Sequence, residues 1–380
     1  MTTATQKIPS GYKQTDIGVI PADWNVKPIK DLATITTGSK NTQDRIFDGL
    51  YPFFVRSQTI ERINSYSYDG EAILTAGDGV GTGKVFHYIN GKFDIHQRVY
   101  KISDFDKKLN GYFFFLYFSN NFFNRIMQMT AKSSVDSVRM EMIADMQIPV
   151  PAEAEQVAIS TTISDTNTLI EKLEQLIEKK KNIKQGAMQE LLTGKRRLPG
   201  FNGKWETKKL GELLDYEQPT EYLVKTSDYS DNHSTPVLTA GKTFILGYTA
   251  EETGLFQNLP TIIFDDFTTA IKYVDFPFKA KSSAMKMLIP RSKDINLKFV
   301  FAKMQMIDFQ LGDHKRYWIS EYQNIEIATP KPDEQTAITT VLSDMDVEIE
   351  KLESRLTKYQ NIKQGMMQVL LTGKIRLLSK

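Results

Sequence analysis

A 44-residue segment occurs twice in this 380-residue chain, at Glu155–Leu198 and again 179 positions later at Glu334–Leu377, with 27 of the 44 positions identical. Asn182–Gly186 matches Asn361–Gly365 without a difference. Both copies close on Leu-Leu-Thr-Gly-Lys, at Leu191–Lys195 and Leu370–Lys374. A repeat of this length means that the chain is built as two copies of one half. Differences of function between the halves then lie in the parts that do not repeat.

The repeated segments read as long helices. In the second copy Ile338, Leu342, Met345, Ile349, Leu352, Leu356 and Tyr359 alternate steps of four and three, the spacing of a coiled-coil seam. The first copy follows with Ile159, Ile163, Thr166, Ile170, Leu173 and Ile177, then Lys180 where the other has Tyr359. Beyond that point the spacing shifts, to Ile183 and Ala187 and to Ile362 and Met366, which loosens a supercoil. Each helix follows a proline-containing stretch, Ile148–Pro151 and Thr329–Pro332, and Gly194 and Gly373 suit a left-handed cap at the far ends. Roughly 40 residues at about 1.5 Å each give a rod on the order of 60 Å long. Its seam must be covered, either by a second chain or by the other copy. We favour an antiparallel pair within one chain, because tethering raises the effective concentration of the partner. Gly186 and Gly365 each cost roughly 1 kcal/mol inside a helix, which predicts close packing there, helix on helix or against a partner.

Segments 17–150 and 199–330 read as β-rich domains. Short runs of Ile, Val, Phe, Tyr and Thr alternate with turn signals such as Asp69-Gly70, Asn90-Gly91 and Gly241-Lys242, and one helix is expected in each, near Gly111–Met127 and Leu297–Leu311. The expected fold is α+β: an N-terminal tail (1–16), domain 1 (17–150), helical spacer 1 (151–198), domain 2 (199–330) and helical spacer 2 (331–380), with internal two-fold pseudo-symmetry. The two β-rich domains are joined by a pair of long antiparallel coiled-coil helices. With no cysteine there is no disulfide and no thiolate metal site, which fits a reducing cytoplasm. The apolar run Tyr112–Phe118 is too short to span a bilayer, so no membrane association is expected. A net charge of only +2 neither demands nor excludes an anionic partner.

The order of motifs resembles a known family. Ile17-Gly18-Val19-Ile20-Pro21-Ala22-Asp23-Trp24 leads into a variable domain, then Pro151 with Glu155-Gln156, a helix and Leu-Leu-Thr-Gly-Lys. A second half follows, with Pro330, Glu334-Gln335 and the same ending. Duplicated in this order from Ile17 to Leu377, these pieces resemble the specificity subunit of a type I DNA restriction-modification system. The resemblance implies that each variable domain is a target-recognition domain reading one half of a split sequence in double-stranded DNA. It implies that the helices act as a ruler between the half-sites and dock two modification subunits. Those subunits would carry the S-adenosylmethionine chemistry, and two restriction subunits with ATP and Mg could join. No cofactor is expected in this chain. The alternative is a coiled-coil interaction scaffold that reads no DNA sequence.

No catalytic constellation stands against that reading. Gly77–Lys84 fails as a phosphate loop, since the first required glycine falls on Asp78 and Val85 replaces the Ser or Thr. A glycine loop approaching DNA phosphate, or a plain hairpin, fits better. Asp265 and Asp266 are adjacent, and adjacent strand positions face opposite ways, so a structural turn near the place of Asp78 is the better reading. The four histidines lack metal-ligand spacing. There is no Pro-Pro-aromatic methyltransferase motif and no nuclease or helicase signature.

Readers of DNA need long polar side chains for base edges and Lys or Arg for phosphates. In domain 1 the candidates are Arg56, Gln58, Thr82, Lys84, Gln97, Arg98, Ser133, Ser134 and Arg139. In domain 2 they are Lys242, Thr243, Thr268, Thr269, Lys272, Lys281, Ser282, Ser283, Lys286, His314, Lys315, Arg316 and Tyr317. The repeats themselves are basic: Glu171–Leu198 holds eight Lys or Arg against four Glu, and Glu350–Leu377 six against two. That charge suits a rod beside unread base pairs or an ordinary solvated face.

Overall fold

The computed structural model describes residues 8–129, 137–241, 243–312 and 316–377. Two units emerge, Met1–Glu174 with Arg355–Lys380, and Gln175–Ser354. Both dividing lines fall inside the long helices. Each unit therefore holds one β-rich domain, the start of the helix that follows it and the end of the other helix.

In the first unit, β1 (Tyr12–Thr15) and β2 (Gly18–Pro21) form a hairpin. Next come β3 (Asn25–Pro28), β4 (Thr34–Thr37), β5 (Tyr51–Phe54), β6 (Ile60–Ile63), β7 (Tyr68–Ala76), β8 (Phe86–Ile95) and β9 (Val99–Ser103). Helices α1 (Gly111–Met129) and α2 (Met140–Ala144) follow, then β10 (Gln147–Val150) and α3 (Glu153–Leu191). The main sheet runs β4-β9-β7-β8-β5-β6, with β5 and β8 parallel. Strand β7 is buried on both faces, and the period of two sorts its side chains. Ile73 joins the aromatic core under α1, while Ala72 and Leu74 join a second core with Phe54 and Phe93 on the opposite face. Asn110 caps α1 by accepting from the Phe113 amide at 2.8 Å, and Phe114, Phe118 and Phe122 stack along one helix face at i, i+4 spacing.

The second unit repeats this plan. It comprises β11 (Glu206–Lys209), α4 (Leu210–Leu213), β12 (Leu214–Glu217), β13 (Thr235–Leu238), β14 (Ile245–Thr249), β15 (Thr261–Asp265) and β16 (Ile271–Val274). Then come β17 (Lys279–Ala280), β18 (Met285–Pro290), α5 (Leu297–Met304), α6 (Tyr317–Ser320), β19 (Glu326–Thr329) and α7 (Pro332–Leu370). The order β12-β18-β15-β16 reproduces β4-β9-β7-β8, and the parallel pair β13–β17 reproduces β5–β8. Asn296 caps α5 as Asn110 caps α1, accepting from the Phe299 amide. Helix α5 stops at Met304, short of the expected Leu311, because the chain turns back to place Phe309 against Tyr317 and Tyr322.

Both long helices contain 39 residues, and the predicted seam is buried at Ile159, Ile163, Ile170, Leu173, Ile177, Ile338, Leu342 and Ile349. The packing is antiparallel within each unit. In the first, Ile159 and Ile163 share a core with Leu370 and Leu371. In the second, Leu191 and Leu192 share one with Ile338 and Leu342, flanked by Lys180–Glu348 at 2.7 Å and by Lys184–Asp346. Gly194 and Gly373 take φ of 71° and 67° just past the last turns, the expected left-handed caps. The inner glycines do not pack helix on helix: Gly186 and Gly365 are exposed, and a Cβ added to either would meet nothing within 4 Å. Close packing within the chain does not explain them.

Candidate nucleic-acid interface

The Glu-Gln motif, read as a family marker, is a structural clasp made twice. Glu155 is buried; it accepts from the Trp24 indole at 3.0 Å and from Arg376 at 2.5 and 2.7 Å. In the second unit Glu334 accepts from Trp205 at 3.2 Å and from Arg197 at 2.5 and 2.6 Å. The neighbouring Gln156 and Gln335 accept from the amides of Asn110 and Asn296, the residues that cap α1 and α5. The clasp thus ties the start of each globular domain, the start of its own helix and the end of the other repeat. The signal for Arg197 and Arg376 was present in the sequence as the one basic position kept beyond Leu-Leu-Thr-Gly-Lys in both copies.

Held on this frame, the first unit presents a polar cleft of about 690 Å³ lined by Thr37, Asp78, Gln97, Arg98 and Arg139. Asp78 is its organising residue and was not among the predicted ones. It accepts from Arg56 at 2.8 Å and lies 3.7 Å from Arg98, so two guanidiniums share one carboxylate and one positive charge is left over. Arg56, Gln58, Lys84, Gln97, Arg98 and Arg139 are all exposed. Gln97 is steadied by Asn41, and Lys84 lies 5.9 Å from the Phe123 ring centroid. His96 is buried beneath them, and its Nδ1 accepts from the Arg98 amide at 2.9 Å. Burial first, and the Arg56 charge second, lower the His96 pKa. Thr82 is a correction: at 3 % exposure its hydroxyl is spent on the Gly79 carbonyl at 2.6 Å, inside the loop rather than on its surface. Ser133 and Ser134 lie outside the described residues.

The corresponding place in the second unit is arranged differently. Asp266 and Lys286 are each 1 % exposed and pair at 3.1 Å, with Asp266 also accepting from the Trp318 amide and Lys286 lying 4.5 Å from the Tyr216 ring centroid. Lys286 is therefore a second correction, a buried counter-ion and no surface contact. Tyr317, packed against Phe309 and 2 % exposed, is a third. Thr243, Thr268, Lys272, Lys281, Ser283 and Arg316 are exposed, while Thr269 and Ser282 are half-buried. Arg316 precedes α6 as Arg139 precedes α2. Asp265 accepts from the Phe267 and Thr268 amides, so the expected acidic turn is present. Thr269 sits at φ 57°, a strained conformation for a β-branched residue, in the loop that carries Thr268. Lys242, His314 and Lys315 lie outside the described residues. Among the described residues no cluster is arranged to hold a metal, and no helix is long and apolar enough to cross a membrane.

The family described as "Type I restriction modification DNA specificity domain" matches residues 21–182 and 202–358, one match for each half. The chain belongs to this family. Among curated relatives, the EcoR124I/EcoR124II specificity subunit of Escherichia coli is 46% identical over 187 residues, 47% of this chain and 45% of that one. The EcoDI specificity subunit of the same species is 27% identical over 47% of this chain and 39% of its own. This chain thus spans less than half the length of these two relatives. A putative MjaX specificity subunit of Methanocaldococcus jannaschii is 25% identical over 96% of this chain and 97% of its own. Among solved structures, the type I restriction-modification S subunit from M. genitalium shares the fold, with a TM-score of 0.64 over 97% of this chain and 99% of that chain at 16% identity. The two family matches include Trp24 and Glu155, Trp205 and Glu334, and both loops carrying Asp78 and Asp266, while the clasp arginines Arg197 and Arg376 lie outside the matched ranges.

Proposed function

We propose that this specificity-family chain is the DNA-reading and assembly subunit of a type I restriction-modification complex, with no turnover of its own. The first unit reads one half of a bipartite target through the cleft around Asp78, and the second reads the other half through the exposed residues near Thr268 and Arg316. The helices set the spacing and dock two modification subunits, which supply S-adenosylmethionine chemistry; two restriction subunits add the ATP- and Mg-dependent steps.

One observation supports this most strongly. The four-strand order, the parallel pair beside it and the Glu–Trp–Arg clasp recur in both units, while the residues around the equivalent loop differ: Asp78 shared by two exposed arginines in one, Asp266 locked to a buried lysine in the other. A kept scaffold with changed surface chemistry suits two readers of two sequences. The test is to purify the chain with a modification subunit and map methylated adenines in genomic DNA. A single bipartite motif is expected; methylation without sequence preference would leave only a scaffold.

A further inference from the structure

The loop between β7 and β8 holds one apolar side chain out into solvent among polar neighbours. Val80 is 97% exposed, two residues beyond Asp78, which lines the cleft together with Gln97, Arg98 and Arg139. Turn chemistry does not ask for valine there, since Gly, Asn, Asp and Ser are the residues that turns favour. The backbone around it is pinned. Gly77 donates to the Arg98 carbonyl at 2.8 Å and accepts from the Val138 amide at 2.7 Å. Beyond the apex, a Cβ on Gly81 would lie 2.5 Å from the Arg56 carbonyl oxygen, and one on Gly83 would lie 2.5 Å from Ile126. Gly79 and Gly83 take φ of 81° and 68°, a conformation that side chains resist. A loop fixed on both sides cannot fold its valine back into the core. The equivalent turn of the second unit, between β15 and β16, also carries an apolar side chain, Phe267, at 38% exposure.

We propose that Val80 reads the C5-methyl group of a thymine in the half-site bound by the first unit; this rests on the function proposed above. In the major groove the thymine methyl is the one apolar feature of a base edge, and it is what a short branched side chain held at a fixed position can distinguish. Arg56, whose Nη1 would lie 3.8 Å from a Cβ on the neighbouring Gly79, and the cleft residues Gln97, Arg98 and Arg139 supply hydrogen-bond donors for base edges and phosphates. The rigid loop means that little ordering is left to be done on binding, so a single methyl contact registers in the selectivity.

The test uses the complex of this chain with its modification subunit and target duplexes in which deoxyuridine replaces thymine one position at a time. Uracil removes only the methyl group. One thymine of the half-site read by residues 17–150 is expected to show methylation slowed roughly fourfold by uracil, the value of one buried methyl. In Val80→Ala the penalty at that position should vanish, with the melting temperature of the complex unchanged. Val80→Thr, of the same shape, should keep part of it. Indifference to uracil at every thymine, a uracil penalty equal in parent and Val80→Ala, or a half-site without thymine would each overturn the assignment while leaving the specificity reading intact. Methylation with no sequence preference would overturn the specificity reading and the valine assignment with it.

Discussion

Removing the Glu155 carboxylate should destabilise the first unit by an amount set by two partners of different burial. Trp24 is 0% exposed, and among the described residues its indole N–H donates to this carboxylate alone, at 3.0 Å, so Glu155→Ala strands a buried donor at a cost of ~1–3 kcal/mol. Arg376 is partly solvated and keeps its bidentate bond to Asp23 at 2.9 and 3.0 Å, so its share is discounted to ~0–1 kcal/mol. The sum is on the order of 3 kcal/mol, at the low end of what breaking a buried pair costs. For a unit of this size that is a fall in melting temperature of roughly 6–12 °C. Thermal unfolding followed by circular dichroism reads it directly. A double-mutant cycle sharpens it: because one carboxylate serves both partners, Glu155→Ala with Arg376→Ala should lose less than the sum of the two single losses, the remaining effect of Arg376→Ala being its bond to Asp23. A Glu155→Ala protein melting within about 1 °C of the parent, or strictly additive losses, would refute the clasp as a shared anchor. Glu334→Ala should act in the same direction on the second unit through Trp205 and Arg197, with a smaller indole share because Trp205 is only half-buried.

Three further outcomes are expected. Lys286→Met should lower stability by ~3–5 kcal/mol in urea unfolding, since Asp266 would remain buried without its counter-ion, while DNA affinity per folded molecule stays the same; a selective loss of affinity at unchanged stability would return Lys286 to the DNA surface. Arg98→Ala should weaken binding to all sequences and reduce the slope of log affinity against log salt by about 0.9, measured by fluorescence anisotropy; an unchanged slope would take Arg98 off the phosphate backbone. His96 has its folded pKa lowered below 6.5, chiefly by burial, so the unfolded chain takes up the proton first as pH falls. Its contribution is whole above about pH 6.5 and is lost as pH falls through the lower folded value. Melting of the parent should therefore drop between pH 7.5 and 5.5 more than that of His96→Gln, and equal drops would exclude this histidine.

Much of the frame is legible in the sequence because it obeys periodic rules. Steps of four and three marked the buried seam from Ile159 to Ile177, and Gly194 and Gly373 marked the left-handed caps because few other residues accept positive φ. The clasp was visible only as a motif. Its meaning needs Trp24, Glu155 and Arg376 brought together from positions more than a hundred residues apart. The recognition surface was the least legible part, because residue type does not report exposure. Lys286 lies between Met285 and Met287 on a strand buried on both faces, and only the distant Asp266 makes its burial tolerable. Thr82 turned inward to bond its own loop, whereas Val80, two residues earlier, faces solvent. Gly186 and Gly365 were read as packing glycines, helix on helix or against a partner; their surroundings within this chain are open, which removes only the first of these.

The division of labour between the two units is tested most directly by exchanging one of them. Residues 205–330 are replaced by the equivalent domain of another member of the family, the hybrid is purified with its modification subunit, and methylated adenines are mapped across a genome. One half of the bipartite motif is expected to change while the other half and the gap between them stay as in the parent. A change in both halves, or in neither, would contradict that division of labour.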